Sequence, residues 1–203
     1  RQDIVMESSH SDSIAIGCEN DLWSIQVKRL CQQLRKQAPD MMVQVEILPR
    51  ETLIQRLTAG LLDLVFMFEP PQMSDLIIDK VADISIIMVS SDKTVRASEA
   101  IDAHYTLVDW GNSFSIQQAE FFPDASVPMM RTGSSTVAYD LIMDQGGSAY
   151  LAQQMVDDAL KQGLLFRVED APVFQRHVYR VMQPESERRR PIKIAIASLP
   201  TLD

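Results

Sequence analysis

The chain offers few side chains at spacings that chemistry requires. Of its three histidines, His10 sits in a polar leader, His104 precedes an apolar run and His177 lies inside another. No catalytic pair can be named from them. There is no GxSxG elbow, P-loop, GxGxxG, HExxH or paired CxxC, so acyl-transfer, nucleotide and zinc chemistry lack the residues that define them. No catalytic residue, metal ligand or cofactor is assigned. Cys18 follows an apolar run at a helix start, where a thiolate would be stabilised, but as a lone cysteine it reads first as a small buried filler. Cys31 falls on an apolar helical stripe. The two stand 13 residues apart around a helix, roughly 20 Å at about 1.5 Å of rise per residue, which is too far for a disulfide. Two unpaired cysteines fit a reducing cytoplasm. The run Arg188, Arg189, Arg190 offers charge for an anion, although short basic runs beside a helix start are usually solvated. What remains is backbone chemistry. Helix starts carry unpaired N–H donors, and polar ones fall at Asn20 to Trp23, Pro49 to Thr52 and Thr132, Gly133, Ser134, Ser135.

Those starts need strands to place them. After the polar RQDIVMESSHSD, SIAIGC reads as a buried strand, followed by a helix capped at Asn20 or Asp21 with Trp23, Val27, Leu30, Leu34 and Ala38 as its stripe, ended by Pro39. Strand VQVEIL, a helix through Leu53, Ile54 and Leu57 stopped by Gly60, and strand LDLVFMF complete a β-α-β-α-β round. A second round runs through YTLVDW, a helix near FSIQQAEFF, VPMMRT, a helix from Ser134 or Ser135 to Gln145, SAYLA, a helix stopped by Gly163, and LLFRV. Two β-rich stretches, IIDKVADISIIMVSS and FQRHVYRVMQP, read as hinge crossings, and PIKIAIASL as a closing helix with Pro191 in its first turn. Alternation of this kind predicts an α/β fold of two Rossmann-like lobes with open, mostly parallel sheets. In open α/β sheets ligands sit beyond the carboxyl ends of the strands, where the three polar helix starts fall.

At 203 residues, with 46% hydrophobic and 23% charged residues, the chain has the balance of an ordinary globular protein. No apolar run approaches the roughly 18 to 20 residues that span a bilayer. The formal net charge of −9 repels phosphate backbones, so the chain by itself is not expected to grip DNA. The first residue is Arg1, so either a start was removed or the chain continues a longer one.

In LTAGLLDLVFMFEPP, a leucine helix, Gly60 and a hydrophobic strand lead into a Pro-containing loop. This resembles the first lobe of the effector domain of LysR-type transcriptional regulators. QGGSAYLA, DDALKQGLLFRV, HVYRVMQP and SERRRPIKIAIASL resemble that family's second lobe, return crossing and final helix, so the resemblance covers residues 13 to 200. EPPQM, VPMMRTGSS and the pair Leu22, Trp23 are similar to the enterobacterial branch that regulates flagellar genes. Two features depart from the family, which shows Gly-x-Gly after the second-lobe helix and a Pro after the next strand. Here stand Gln145, Gly146, Gly147 and then Ala152.

The resemblance implies a type 2 periplasmic-binding-protein-like fold with a two-strand hinge, residues 13–90 plus 172–203 forming lobe I and 91–171 lobe II, with 1–12 as a linker remnant. It implies an effector crevice at Asp21, Leu22 and Arg50 in one lobe and Thr132, Gly133, Ser134 and Ser135 in the other. A small-molecule effector would bind there, and a carboxylate would suit Arg50. Arg50 could equally pair with Asp21 or Glu51. It further implies a homodimer, cytoplasmic, that touches DNA only through an N-terminal winged helix-turn-helix outside this chain. The alternative is a periplasmic solute-binding protein of a transporter, with an enzyme a distant third.

Overall fold

The computed structural model describes residues 12–102, 104–128 and 130–199. Apart from Asp12, the polar leader with His10 lies outside them. The order begins β1 (Ser13–Cys18), α1 (Asn20–Leu22), a π-helical segment (Trp23–Val27), α2 (Lys28–Gln37), β2 (Met42–Ile47), α3 (Arg50–Thr58), β3 (Leu64–Met67) and β4 (Ile77–Ser90). It continues with α4 (Ala97–Ala100), β5 (Tyr105–Val108), α5 (Asn112–Phe121), β6 (Met130–Thr132), α6 (Ser135–Gln145) and β7 (Ser148–Ala152). Last come α7 (Gln153–Lys161), β8 (Phe166–Arg167), β9 (Phe174–Met182), a 3-10 turn (Pro184–Arg188) and α8 (Arg190–Ala197). Two compact units result, one from the chain up to Asp83 and from His177 onward, the other Ile84–Arg176. The division falls inside the crossing strands β4 and β9, rather than near residues 90 and 172.

In the first unit β1 pairs in parallel with β2 and β3, while β3 pairs antiparallel with β9. All four residues of β3 are buried, which accounts for its unbroken apolar sequence. Against this sheet α3 sets Leu53 and Leu57, which pack with Leu62, Val65, Met67 and Val181. The arginine run is structural at two of its three positions. Arg189 pairs with Asp63, whose other oxygen accepts the Ala15 N–H at 2.8 Å, and Arg190 pairs with Asp12. These contacts tie the start of α8 to β1.

The first helix departs from the expected register. Counted back from Val27, Leu30 and Leu34, a regular helix turns Trp23 inward. Instead the Lys28 N–H reaches the Trp23 carbonyl, five residues back, and the turn widens. Leu22, Ile25, Gln26 and Val27 are all buried, whereas Trp23 is only half-buried. Burying a leucine or isoleucine is worth about 1.5–3 kcal/mol each, so seating both Leu22 and Ile25 outweighs one irregular turn. No side chain caps the helix start at Glu19, where Asn20 or Asp21 was expected to do so. The helix ends at Gln37, with Ala38 out of helical geometry before Pro39.

In the second unit β5 pairs in parallel with β6 and β7, and β4 runs antiparallel to both β7 and β8. Phe114, Tyr150 and Phe174 meet edge to face, with ring centroids 5.0–5.5 Å apart. The Trp110 indole donates to the Tyr150 carbonyl at 2.9 Å. The Gly146–Gly147 departure has a local cause. Gly146 ends α6 at φ 78°, and Gly147, at φ 119°, passes so close to His104 that a Cβ there would stand 2.3 Å from the His104 carbonyl oxygen. The short helix α4, which the sequence reading omitted, is anchored where Asp170 accepts the Ala97 N–H at 3.0 Å.

Candidate functional site

Asp21, Leu22 and Arg50 stand on the first unit, and Thr132, Gly133, Ser134 and Ser135 on the second. Leu22 is 0% exposed, and its N–H donates to the Glu19 carbonyl at 3.0 Å. Its side chain therefore serves the core. Asp21 is also buried, and its carbonyl accepts the Ser24 hydroxyl at 3.3 Å. The residue that ties down this helix start is Glu19, which the sequence reading passed over. Its carboxylate accepts the Phe68 N–H at 2.7 Å, joining the end of β1 to the end of β3. An acid just before a helix was the available signal.

Arg50 opens α3, and its guanidinium bends toward the loop after β3. It donates to the Glu69 carbonyl at 2.9 Å and the Pro70 carbonyl at 3.3 Å. Glu51 lies 3.9 Å away but is 76% exposed, so that pair contributes little. Of the two acids considered as partners for Arg50, Glu51 is thus the one at ion-pair distance, and two backbone carbonyls hold the guanidinium more closely.

On the second unit, Thr132 closes β6 and holds the turn into α6. Its hydroxyl accepts the Ser134 N–H at 3.1 Å, and its carbonyl accepts the Asp109 N–H at 2.9 Å. Ser134 is the N-cap residue in extended conformation without a side-chain cap bond, and Ser135 begins the helix fully buried. Gly133 is exposed, with nothing within 4 Å of where a Cβ would be. The same unit has a second, unforeseen polar corner. The Gly111 N–H donates to Asp109 at 3.0 Å at the start of α5, Arg131 lies 3.9 Å from Asp109, and a Cβ on Gly111 would meet Arg176 at 3.0 Å.

The cysteines do not supply a reactive thiol. Burial, with Cys31 and Glu19 adding to it, pushes the Cys18 thiol up to about 12, and burial also raises Cys31. Both are free cysteines, Cys18 fully buried. Cys31, expected in the core, is half-buried and lines a groove of about 450 Å³ with Trp23, Arg35, Met41, Val43 and Val45. Among the described residues no group of three or more His, Cys, Asp or Glu is placed to hold a metal, and no helix is long and apolar enough to cross a membrane.

The sequence profile of the LysR substrate binding domain matches residues 7–201. The chain belongs to that family. It is similar to the HTH-type transcriptional regulator HdfR of Yersinia enterocolitica, 26% identical over 198 residues that cover 93% of this chain and 67% of that protein. HdfR of Yersinia pestis is 23% identical over 202 residues, covering 95% of this chain and 68% of that protein. Among solved structures, the regulatory domain of CrgA from Neisseria meningitidis superposes with a TM-score of 0.75 at 13% identity, over 93% of this chain and 98% of that one. The reduced OxyR regulatory domain from Pseudomonas aeruginosa gives 0.72 at 20% identity, over 94% and 98%. Those likenesses show the fold, the type 2 periplasmic-binding-protein-like fold of LysR regulatory domains. The chain is a LysR-type effector-binding domain, and the reading as a transporter's solute-binding protein falls away because the relatives are transcriptional regulators.

Proposed function

We propose that this domain senses a small molecule through two half-sites. Asp21 and Arg50, with Leu22 packed in the core behind them, form one, and Thr132, Gly133, Ser134 and Ser135 form the other. The match to the LysR substrate binding domain over residues 7–201 carries the reading, and the polar helix starts supply its chemistry. A carboxylate suits Arg50, because a charged acceptor is a stronger partner for a guanidinium than the two carbonyls it now holds. The test is calorimetry with a panel of small organic acids. For an acid that binds, Arg50→Ala is expected to weaken affinity roughly ten-fold to a hundred-fold, since a hydrogen bond to a charged group is worth about 1.5–3 kcal/mol. Ser134→Ala should cost less. Equal affinity for the wild type and Arg50→Ala would sink the assignment. DNA contact is proposed to reside in a winged helix-turn-helix outside this acidic chain, which places the regulator in the cytoplasm.

The domain is proposed to work as a homodimer. The first unit carries the groove between α2 and β2, where Trp23, Met41, Val43 and Val45 face Arg35. The second unit leaves Ile116 and Phe121 of α5 each 61% exposed and Met130 of β6 41% exposed. Apolar surface of this kind, flanked by charge, marks contact sites. Sedimentation at micromolar concentration is expected to give a dimer. Ile116→Glu should weaken it by about thirty-fold if Ile116 sits at a contact centre worth about 2 kcal/mol. Monomer alone at high micromolar concentration would rule the dimer out.

A further inference from the structure

We propose that the second unit binds a small primary amine at a site separate from the polar helix starts. A pocket of about 290 Å³ has His104, Thr106, Met130, Leu141, Gln145 and Gly146 in its lining, all within that unit. It sits where β5 and β6 begin and α6 ends. The length of α6 separates it from the Thr132–Ser135 turn, roughly 16 Å at about 1.5 Å of rise per residue. Its volume falls at the small end for ligand pockets, which run to roughly 300–1,000 Å³. Thr106 is the decisive residue. The neighbouring Tyr105 sends its hydroxyl to Gln118 of α5 at 2.7 Å, so alternation along β5 turns Thr106 to the other face, where Leu141 of α6 lines the pocket with it. Thr106 is 5% exposed, and its hydroxyl makes no hydrogen bond to any described residue. Buried hydroxyls nearly always have a partner, and a ligand in this pocket would supply one.

The charge of the ligand follows from the lining. No lysine or arginine contributes to it. The part of α6 that does is its last turn, ending at Gln145 and Gly146, where terminal carbonyls and the negative end of the helix dipole favour a cation. A carboxylate would meet repulsion with no cation to offset it. The three donors of an ammonium match the acceptors here, which are the Thr106 hydroxyl oxygen, the Gln145 amide oxygen and the carbonyls of that turn. Met130 and Leu141 offer apolar contact to a short alkyl or aryl body. The rim is fixed before any ligand arrives. Gly146 turns at φ 78°, and Gly147 passes so close to the His104 carbonyl that no Cβ fits between them. Met130 is shared with the apolar surface assigned to the homodimer, but the site depends neither on that assignment nor on the effector half-sites.

Titration of the whole 203-residue chain, isotope-labelled and followed by its amide chemical shifts, tests the site. Butylamine and benzylamine are the probes, and butanoate is the control of opposite charge. Both amines are expected to move the amides of Tyr105, Thr106, Gln145 and Gly146 saturably, and butanoate to leave them in place. Thr106→Val keeps the outline of the side chain without its hydroxyl and should weaken amine binding about ten-fold, the low end for a hydrogen bond to a charged group. Leu141→Trp fills the pocket and should abolish binding. If that variant does not fold, Thr106→Val still decides, since it removes a hydroxyl without a partner and should unfold no lower than the parent. The proposal is overturned if neither amine gives a saturable shift at those amides, or if butanoate binds there as well as the amines do. It is equally overturned if Thr106→Val binds amine as the parent does, or unfolds at a lower temperature, because the hydroxyl then has a partner inside the fold.

Discussion

Gly147→Ala is expected to destabilise the domain by about 2–6 kcal/mol. Two independent costs add there. At φ 119° an alanine is strained, which costs of order 1–3 kcal/mol at such positions. Its Cβ would also lie 2.3 Å from the His104 carbonyl oxygen. That neighbour is backbone, already in the left-handed region at φ 55°, and it accepts the Ser148 N–H at 3.2 Å. It cannot withdraw without disturbing the pairing of β5 with β7, so the clash adds a backbone shift of about 1–3 kcal/mol. Gly146→Ala gives the control. Its φ of 78° is also positive, so an alanine is strained there too, but its new Cβ would meet the Ser91 hydroxyl at 3.1 Å, the end of a side chain that can turn away, so only the backbone strain of about 1–3 kcal/mol is expected. Thermal unfolding of both variants checks the ranking, at about 2–4 °C per kcal/mol for a chain of this size. Equal losses would mean that the approach to His104 is not what selects glycine at 147.

The positions that sequence reasoning placed well are those where one local rule suffices. SIAIGC, SAYLA and the helix from Ser135 to Gln145 fall where alternation, continuous apolarity and a stopping glycine put them. The strand read in LLFRV came out shorter, as Phe166–Arg167. What could not be read were contacts made across the chain. Glu19 reaches Phe68, 49 residues away, and Arg189 reaches Asp63, 126 residues away. No periodicity encodes such pairs. The candidate site was legible to the extent that it consists of helix starts. Arg50 shows the limit, because the carbonyls of Glu69 and Pro70 that claim its guanidinium lie 19 and 20 residues further on, in a loop whose path follows only from the fold. The π-helical segment shows another limit. Its trace in the sequence is Leu22 standing five residues before Val27, a spacing that a regular helix does not bury on one face.

That spacing leads to the second large effect. Leu22→Ala is expected to cost about 2–5 kcal/mol, the range for truncating a fully buried leucine. Trp23→Ala should cost less, although tryptophan is the larger side chain, because Trp23 remains half-buried on the groove wall while Leu22 is 0% exposed. A regular helix through the same residues predicts the opposite order, with Trp23 on the stripe of Val27, Leu30 and Leu34 and Leu22 turned away from it. The two variants therefore separate the two registers by denaturant unfolding alone, with no ligand required. The pair also bears on function. Because the Leu22 side chain serves the core and its N–H is bonded to the Glu19 carbonyl, Leu22→Ala at temperatures well below its unfolding midpoint should bind an effector as the parent does. A large loss of affinity without a loss of stability would instead put the Leu22 side chain in the site, and a stability loss smaller than that of Trp23→Ala would return the first helix to the regular register.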